Sequence, residues 1–290
     1  MVKYNLVFFF SEGPPNDNGL NLSQSKDEIT RLAKPYFDNI EFYTPSKLKK
    51  MGYNNYVKER EMELDWMSPM YKIGNCAWRP LIMLLELKKM KDGDIIVYKD
   101  CNTSKAHCRN YTNIRKIIDE CLKQFDFFVP FENPSDPRWK LKRFVKTNII
   151  RDLGENHPFC YEFPSCLAGL LTIAKKSKVS LEILNEWKMA CEKEEWIDGK
   201  LYGELYHNFK WSTNEQAILN VIISNWIRKK KHNIPLNYPN ITFECKNTNK
   251  LKYNINHDYL KFLNFNNYFE SSFYKEKIHW NHPTKDNIRK

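Results

Sequence analysis

The most chemically suggestive triplet in the sequence is Asp100-Cys101-Asn102, which follows the apolar run Ile95–Tyr98 almost directly. On an extended backbone a carboxylate and an amide oxygen two residues apart share one face. Hard oxygen donors of this kind suit Mg2+ or Mn2+, and an ion held there can bridge and neutralise diphosphate oxygens. The alternative is a turn in which Asp100 and Asn102 satisfy nearby backbone groups. Ligands of open α/β sheets bind at the carboxyl ends of strands, and that placement raises the triplet above a chance acidic motif. Near the C-terminus His279 stands six residues before Lys285. Imidazole suits Mn2+ better than Mg2+; the bland reading is a basic tail.

These residues need a scaffold, and the composition supplies one. The chain has 290 residues, 42% hydrophobic and 14% aromatic, enough for one sizeable α/β domain spanning 1–290. Eight cysteines without a C-x-x-C pair predict reduced, mostly buried thiols rather than disulfides or a zinc site. The Leu6–Phe10 run is too short for a signal peptide or a membrane span, so the expectation is a soluble, cytoplasmic protein with no span; contact with a membrane surface stays open. The net charge of +11 suits a polyanionic partner, such as the phosphates of a small ligand. The charge is spread, and no RNA-recognition or helix-turn-helix signature accompanies it, so no nucleic-acid partner is expected.

Tyr4–Phe10 reads as a buried strand, Ser25–Ala33 as a helix stopped by Pro35, and Ile40–Tyr43 as a second strand. A helix is predicted from Pro80, with proline at its first position and Gly93 after its end. Asp94–Tyr98 follows as a central strand. Further helices are expected at Tyr111–Lys123, over the basic segment Trp139–Leu153, after a Ser180 cap, and at Trp211–Ile227. Phe125–Val129, Leu167–Ile173 and Tyr238–Phe243 read as strands. Residues 44–77 show no clear period. The order is βαβ first, then mixed α+β, with 1–102 as a nucleotide-binding half and 103–290 as an acceptor-binding half.

The blocks Ala77-Trp78-Arg79-Pro80, Lys91–Asp100, Leu167-Ala168-Gly169 with Trp187 and Cys191, and Asn214-Glu215-Gln216-Ala217-Ile218-Leu219 resemble, in order, blocks of GT-A glycosyltransferases. The resemblance implies a mixed, mostly parallel, Rossmann-like sheet flanked by helices. It also implies a metal-dependent transfer of sugar from a nucleoside-diphosphate donor, most often a UDP-sugar, to a glycan or glycoprotein acceptor. Asp100 and Asn102 would hold the metal. Phe10, Ser11 and Glu12 would lie near base and ribose, the alternative being a simple turn at Ser11-Glu12-Gly13. Trp78, Arg79, Tyr98, Lys99, Asp100, Ala168 and Gly169 would lie around the donor, the alternative for Trp78 being a place in the core. His279 and Lys285 resemble a glycogenin-like ending in which the histidine is a further Mn2+ ligand and the lysine meets the diphosphate. That ending implies retention of configuration. Here His282 stands where the motif has glycine, and Asn102 where the usual second aspartate would be. Arg79 replaces a lysine and keeps its charge with different geometry.

Glu215 carries two readings. Ser212-x-x-Glu215 is a capping box, whereas the family places an acidic residue here near the donor sugar, with Gln216 beside it, to stabilise an oxocarbenium-like state. The roles are compatible. Lys140, Lys142 and Arg143 either meet phosphate or acceptor or lie solvated, and His107, His157 and His207 read as structural. An inverting enzyme would need a base such as Glu162, Glu215 or Asp198. Two alternatives to an active transferase stand: a basic nucleic-acid-binding protein, and a GT-A protein without turnover.

Overall fold

Strands whose two faces are both covered carry apolar residues without alternation, and two of the early runs do so. Tyr4–Phe9 forms strand β1 and Ile95–Tyr98 forms strand β5, the latter buried along its whole length. The computed structural model describes residues 1–10, 12, 22–60, 72–100, 118, 126–129, 137–166, 168–169, 171–201, 203–210, 212–229, 240–243 and 253–255. Its central sheet has five strands. Strand β2 is Asn39–Tyr43, β6 is Phe127–Phe128 and β7 is Thr172–Lys175. They lie in the order β2-β1-β5-β7-β6. β1 pairs in parallel with both β2 and β5, while β7 runs antiparallel to β5 and to β6. The sheet is therefore mixed, with β7 alone reversed. β6 and β7 come from residues 103–290 and complete the sheet begun by residues 1–102.

Helix α1, Leu22–Ala33, links β1 to β2. Helix α2, Pro45–Lys50, follows β2 and is capped by the Thr44 hydroxyl on the Lys47 N–H. The irregular sequence after residue 44 thus opens with a short helix that hydrophobic period alone does not reveal. A short antiparallel pair, β3 at Glu59–Arg60 and β4 at Lys72–Ile73, leads on to helix α3, Trp78–Lys89. The approach to α3 runs through Gly74, whose φ is +61°. A Cβ there would stand 1.9 Å from the Tyr56 carbonyl, so only glycine fits.

α3 is buried nearly all round, the mark of a helix packed on both sides. It begins two residues before the predicted start, placing Pro80 in the first turn but not first; the N–H that proline lacks would have no partner inside the helix there either. α4 is Thr147–Asp152 and α5 is Pro158–Glu162. α6 is Lys178–Ala190, α7 is Glu194–Ile197 and α8 is Glu215–Arg228. α3 packs against α6, and α6 against α8, in one apolar core running from Leu6 to Trp226. Strands β8, Asn240–Phe243, and β9, Tyr253–Ile255, form a separate antiparallel pair.

Four expectations need correction. The basic stretch from Trp139 is not one helix: two 3-10 turns and a bridge between Lys140 and Pro164 precede α4. The apolar run Leu167–Ile173 is not a strand throughout, because residues 168–169 turn beneath the end of β5 and β7 starts only at Thr172. α6 is capped by Ser177, whose hydroxyl accepts the Ser180 N–H; the Ser180 hydroxyl instead reaches the Asp126 carbonyl. α8 starts at Glu215, four residues after the predicted Trp211. The helix expected at Tyr111–Lys123 lies outside the described residues except for Ile118, which is helical and buried.

Candidate functional site

The site is built where β5 ends. Alternation along a strand puts Tyr98 and Asp100 on one face, and the Tyr98 hydroxyl donates to Asp100 Oδ1 at 2.5 Å. The same oxygen receives Arg79 Nη2 at 3.4 Å. The Asp100 N–H donates to the Gly169 carbonyl at 2.9 Å, which fixes the main chain. Oδ2 accepts no hydrogen bond among the described residues, and the Asp100 side chain keeps 43% of its surface exposed. One oxygen is therefore locked and the other presented outwards.

Arg79 enters from the first turn of α3. Its predecessor Trp78 stacks on Phe9 with ring centroids 3.7 Å apart, pinning that turn to the end of β1. Arg79 is buried and its guanidinium pairs with the buried carboxylate of Glu215. Burial opposes the charge on Arg79, but Tyr98, Cys76 and Asp100 outweigh it and hold the group protonated above the ordinary arginine range. Burial, then Asp100, pushes the Tyr98 phenol well above its usual value. Glu215 is fixed further by its backbone, since the Trp187 indole N–H donates to the Glu215 carbonyl at 2.7 Å.

This overturns the capping-box reading of Glu215. Ser212 Oγ accepts the Asn214 N–H, the helix has no side-chain cap, and the Glu215 carboxylate points to Arg79 instead. A full ion pair in a buried site outweighs a local cap bond. Asn214, directly before Glu215, has φ of +47°, an uncommon conformation for a residue other than glycine. Gln216 is half-buried, and its carbonyl lies 3.6 Å from the Cys166 thiol.

The remaining candidates divide. Gly169 belongs to the site: a Cβ there would lie 2.7 Å from Asp100 Oδ2 and 2.9 Å from Arg79 Nη2. Ala168 beside it is buried. Lys99 is also buried, at 1% exposure, so only Asp100 of that pair presents charge to solvent. Phe10 is buried with its N–H on the Tyr43 carbonyl. Glu12 accepts the Ser46 N–H at 2.9 Å and so holds the start of α2. Its slight burial is outweighed by Ser46, Thr44 and Lys49, which keep the carboxyl below its usual range. Ser11, Asn102, His279 and Lys285 lie outside the described residues. The three carboxylates considered as bases all have cationic partners: Glu162 with Lys142, Glu215 with Arg79, and Asp198 with Lys146 at 2.8 Å.

Among the described residues no three His, Cys, Asp or Glu side chains gather to hold a metal ion, and the single oxygen that Asp100 presents is a hard donor of the kind divalent cations take. Arg79 is shared between Glu215 and Asp100, and among the described residues Asp100 Oδ2 accepts no hydrogen bond, beside the space that a Cβ on Gly169 would fill. A bare diphosphate would be repelled there, and a cation between the two removes the conflict. The Arg79–Glu215 pair was not legible as a pair, because 136 residues separate the partners. The Tyr98–Asp100 bond had a signal in strand alternation. No protein-family model, curated protein or solved structure matches the chain.

Proposed function

We propose that this chain is a metal-dependent glycosyltransferase of the GT-A kind, moving a sugar from a nucleoside-diphosphate donor, UDP in the first instance, to a glycan or other hydroxyl acceptor. The observation that carries the reading is the half-locked carboxylate of Asp100 at the carboxyl end of β5, backed by the charge-neutral Arg79–Glu215 pair. A bound Mn2+ or Mg2+ would stabilise the charge that develops on the leaving diphosphate. Asp100 Oδ2 would hold it, with Asn102 and His279 as the further ligands of this reading and Lys285 on the phosphates.

Tyr98 and Arg79 orient Asp100 by occupying Oδ1, the task that outer partners of a metal ligand perform. Gly169 leaves room for the donor or its ion beside Oδ2. Retention of configuration is favoured because each carboxylate considered as a base is already engaged in an ion pair with a cation. A departing phosphate oxygen then takes the acceptor proton. A cytoplasmic location fits the thiols of Cys76, Cys160 and Cys166, which form no disulfide among the described residues.

A screen of UDP- and GDP-sugars for Mn2+-dependent donor hydrolysis tests the reading. Release of nucleotide that stops with chelator and in Asp100→Ala supports it. Binding of RNA or DNA that weakens steeply with salt, with no response to any nucleotide sugar, would select the competing role suggested by the net charge of +11.

A further inference from the structure

We propose that Asn220, on the second turn of α8, is a positioning residue that sets Asp100 through the turn containing Gly169. Asn220 is fully buried, and its Oδ1 accepts the Cys166 N–H at 3.0 Å. Four residues earlier on the same helix face, the Gln216 carbonyl faces the Cys166 thiol at 3.6 Å. α8 thereby grips the start of the segment that runs from Cys166 to β7. Within that segment Thr172 Oγ1 donates to the Ala168 carbonyl at 2.9 Å, closing the turn. The next carbonyl, that of Gly169, takes the Asp100 N–H at 2.9 Å.

The first residue of α8 works on the same target from the other side. Glu215 holds Arg79, and Arg79 reaches Asp100 Oδ1. One rigid helix thus fixes the Asp100 main chain by way of Asn220, Cys166 and Gly169, and its carboxylate by way of Glu215 and Arg79. Among the described residues the Asn220 amide nitrogen is buried with no partner, a cost that an apolar residue would not carry. What it contributes is the acceptor for the Cys166 N–H. No local motif in the sequence marks this residue. The functional consequence rests on the role proposed for Asp100; the geometry does not.

The test measures amide hydrogen exchange at Asp100 and Cys166 in the full chain, in wild type, Asn220→Ala, Asn220→Asp and Ser224→Ala. Ser224 is equally buried on the same helix but bonds Cys160 and Val221, away from the turn. Exchange at Asp100 should quicken by about tenfold in Asn220→Ala, the effect of leaving a buried donor unpaired. It should stay near wild type in Ser224→Ala; Asn220→Asp, which keeps the acceptor but buries a carboxylate, should keep the Cys166 amide protected while lowering overall stability. Asn220→Ser, which draws the acceptor out of reach but stays polar, is the milder variant should the alanine protein not fold. Affinity for UDP with Mn2+ should fall in step with the exchange. Unchanged Asp100 exchange in Asn220→Ala or Asn220→Ser, or equal quickening in Ser224→Ala, overturns the inference. A wild-type protein that binds no UDP with Mn2+ defeats the proposed function instead, and the exchange comparison still decides the positioning role.

Discussion

Replacing Arg79 by Met should destabilise the protein severely, and adding Glu215→Gln should restore most of the loss. Arg79 and Glu215 are each 4% exposed, so removing the guanidinium strands a carboxylate in the core. Breaking a buried pair from one side costs about 3–5 kcal/mol. The second partner adds little, because the Asp100 side chain is 43% exposed and contacts Arg79 only at 3.4 Å. Such half-solvated pairs contribute about 0–1 kcal/mol. A chain of this length loses about 2 °C of Tm per kcal/mol, so Arg79→Met should melt about 6–10 °C below wild type. In the double variant no charge is left buried, and methionine fills much of the volume, so the deficit should shrink to about 1–2 kcal/mol. Urea unfolding followed by circular dichroism and by tryptophan fluorescence gives the cycle directly, with coincident transitions as the check on two-state behaviour. Additive effects of the two substitutions, or an Arg79→Met protein within about 0.5 kcal/mol of wild type, would refute the claim that this pair is the buried keystone of the site.

Three further outcomes follow from the same geometry. Gly169→Ala should fold, at a cost of about 1–3 kcal/mol for the overpacked Cβ, yet lose most of its affinity for UDP with Mn2+, because Asp100 Oδ2 must move; retained affinity by titration calorimetry would contradict the placement. Lys146→Met should cost about 3–5 kcal/mol in urea unfolding, since the fully buried Nζ serves Asp198 Oδ1, the Asp198 carbonyl and the Glu195 carbonyl at 2.8, 2.7 and 3.1 Å. Stability should also fall at alkaline pH. Burial, with Glu86 at Tyr43, Glu192 at Tyr56 and Asp100 at Tyr98, raises all three phenols above their ordinary 10.0, and burial pushes the Cys166 thiol from 9.0 up to about 12. Raised folded values mean that stability is complete below the unfolded values and is lost as pH rises past them. Urea midpoints should therefore hold up to about pH 9 and drop beyond it, with the tyrosinate absorbance of Tyr43, Tyr56 and Tyr98 appearing only on unfolding; tyrosines that all titrate normally in the folded protein would contradict this.

The parts of the fold that sequence reveals are those governed by local pattern. β1, β2, β5 and α3 are bounded by apolar runs, Pro35 and Gly93, and the placement of Asp100 at a strand end follows from them. The misplacements share one cause, a tertiary contact overriding a local preference. Leu167–Ile173 is apolar enough for a strand, yet its first half turns so that Gly169 can meet Asp100, and apolar content alone does not separate a strand from a buried turn. Ser212-x-x-Glu215 has the spacing of a capping box, but Arg79 competes for the carboxylate and wins. Asn220 gives no sequence signal, since a lone asparagine in an apolar helix matters only through what it touches, here the N–H of Cys166.

The central claim is that Asp100 holds the cation that carries a nucleoside diphosphate. Thermal unfolding with UDP and Mn2+ together tests it most directly. At a hundredfold excess over Kd the ligand should add about 2.7 kcal/mol of stability, a rise of about 5 °C. Mn2+ alone should give little shift, because the second position of the triplet is Asn102 rather than a carboxylate. Asp100→Ala should abolish the shift, its own Tm lying about 2–6 °C lower because the buried Tyr98 hydroxyl loses its acceptor. No shift at any concentration of UDP and Mn2+, or an equal shift in Asp100→Ala, would contradict the account.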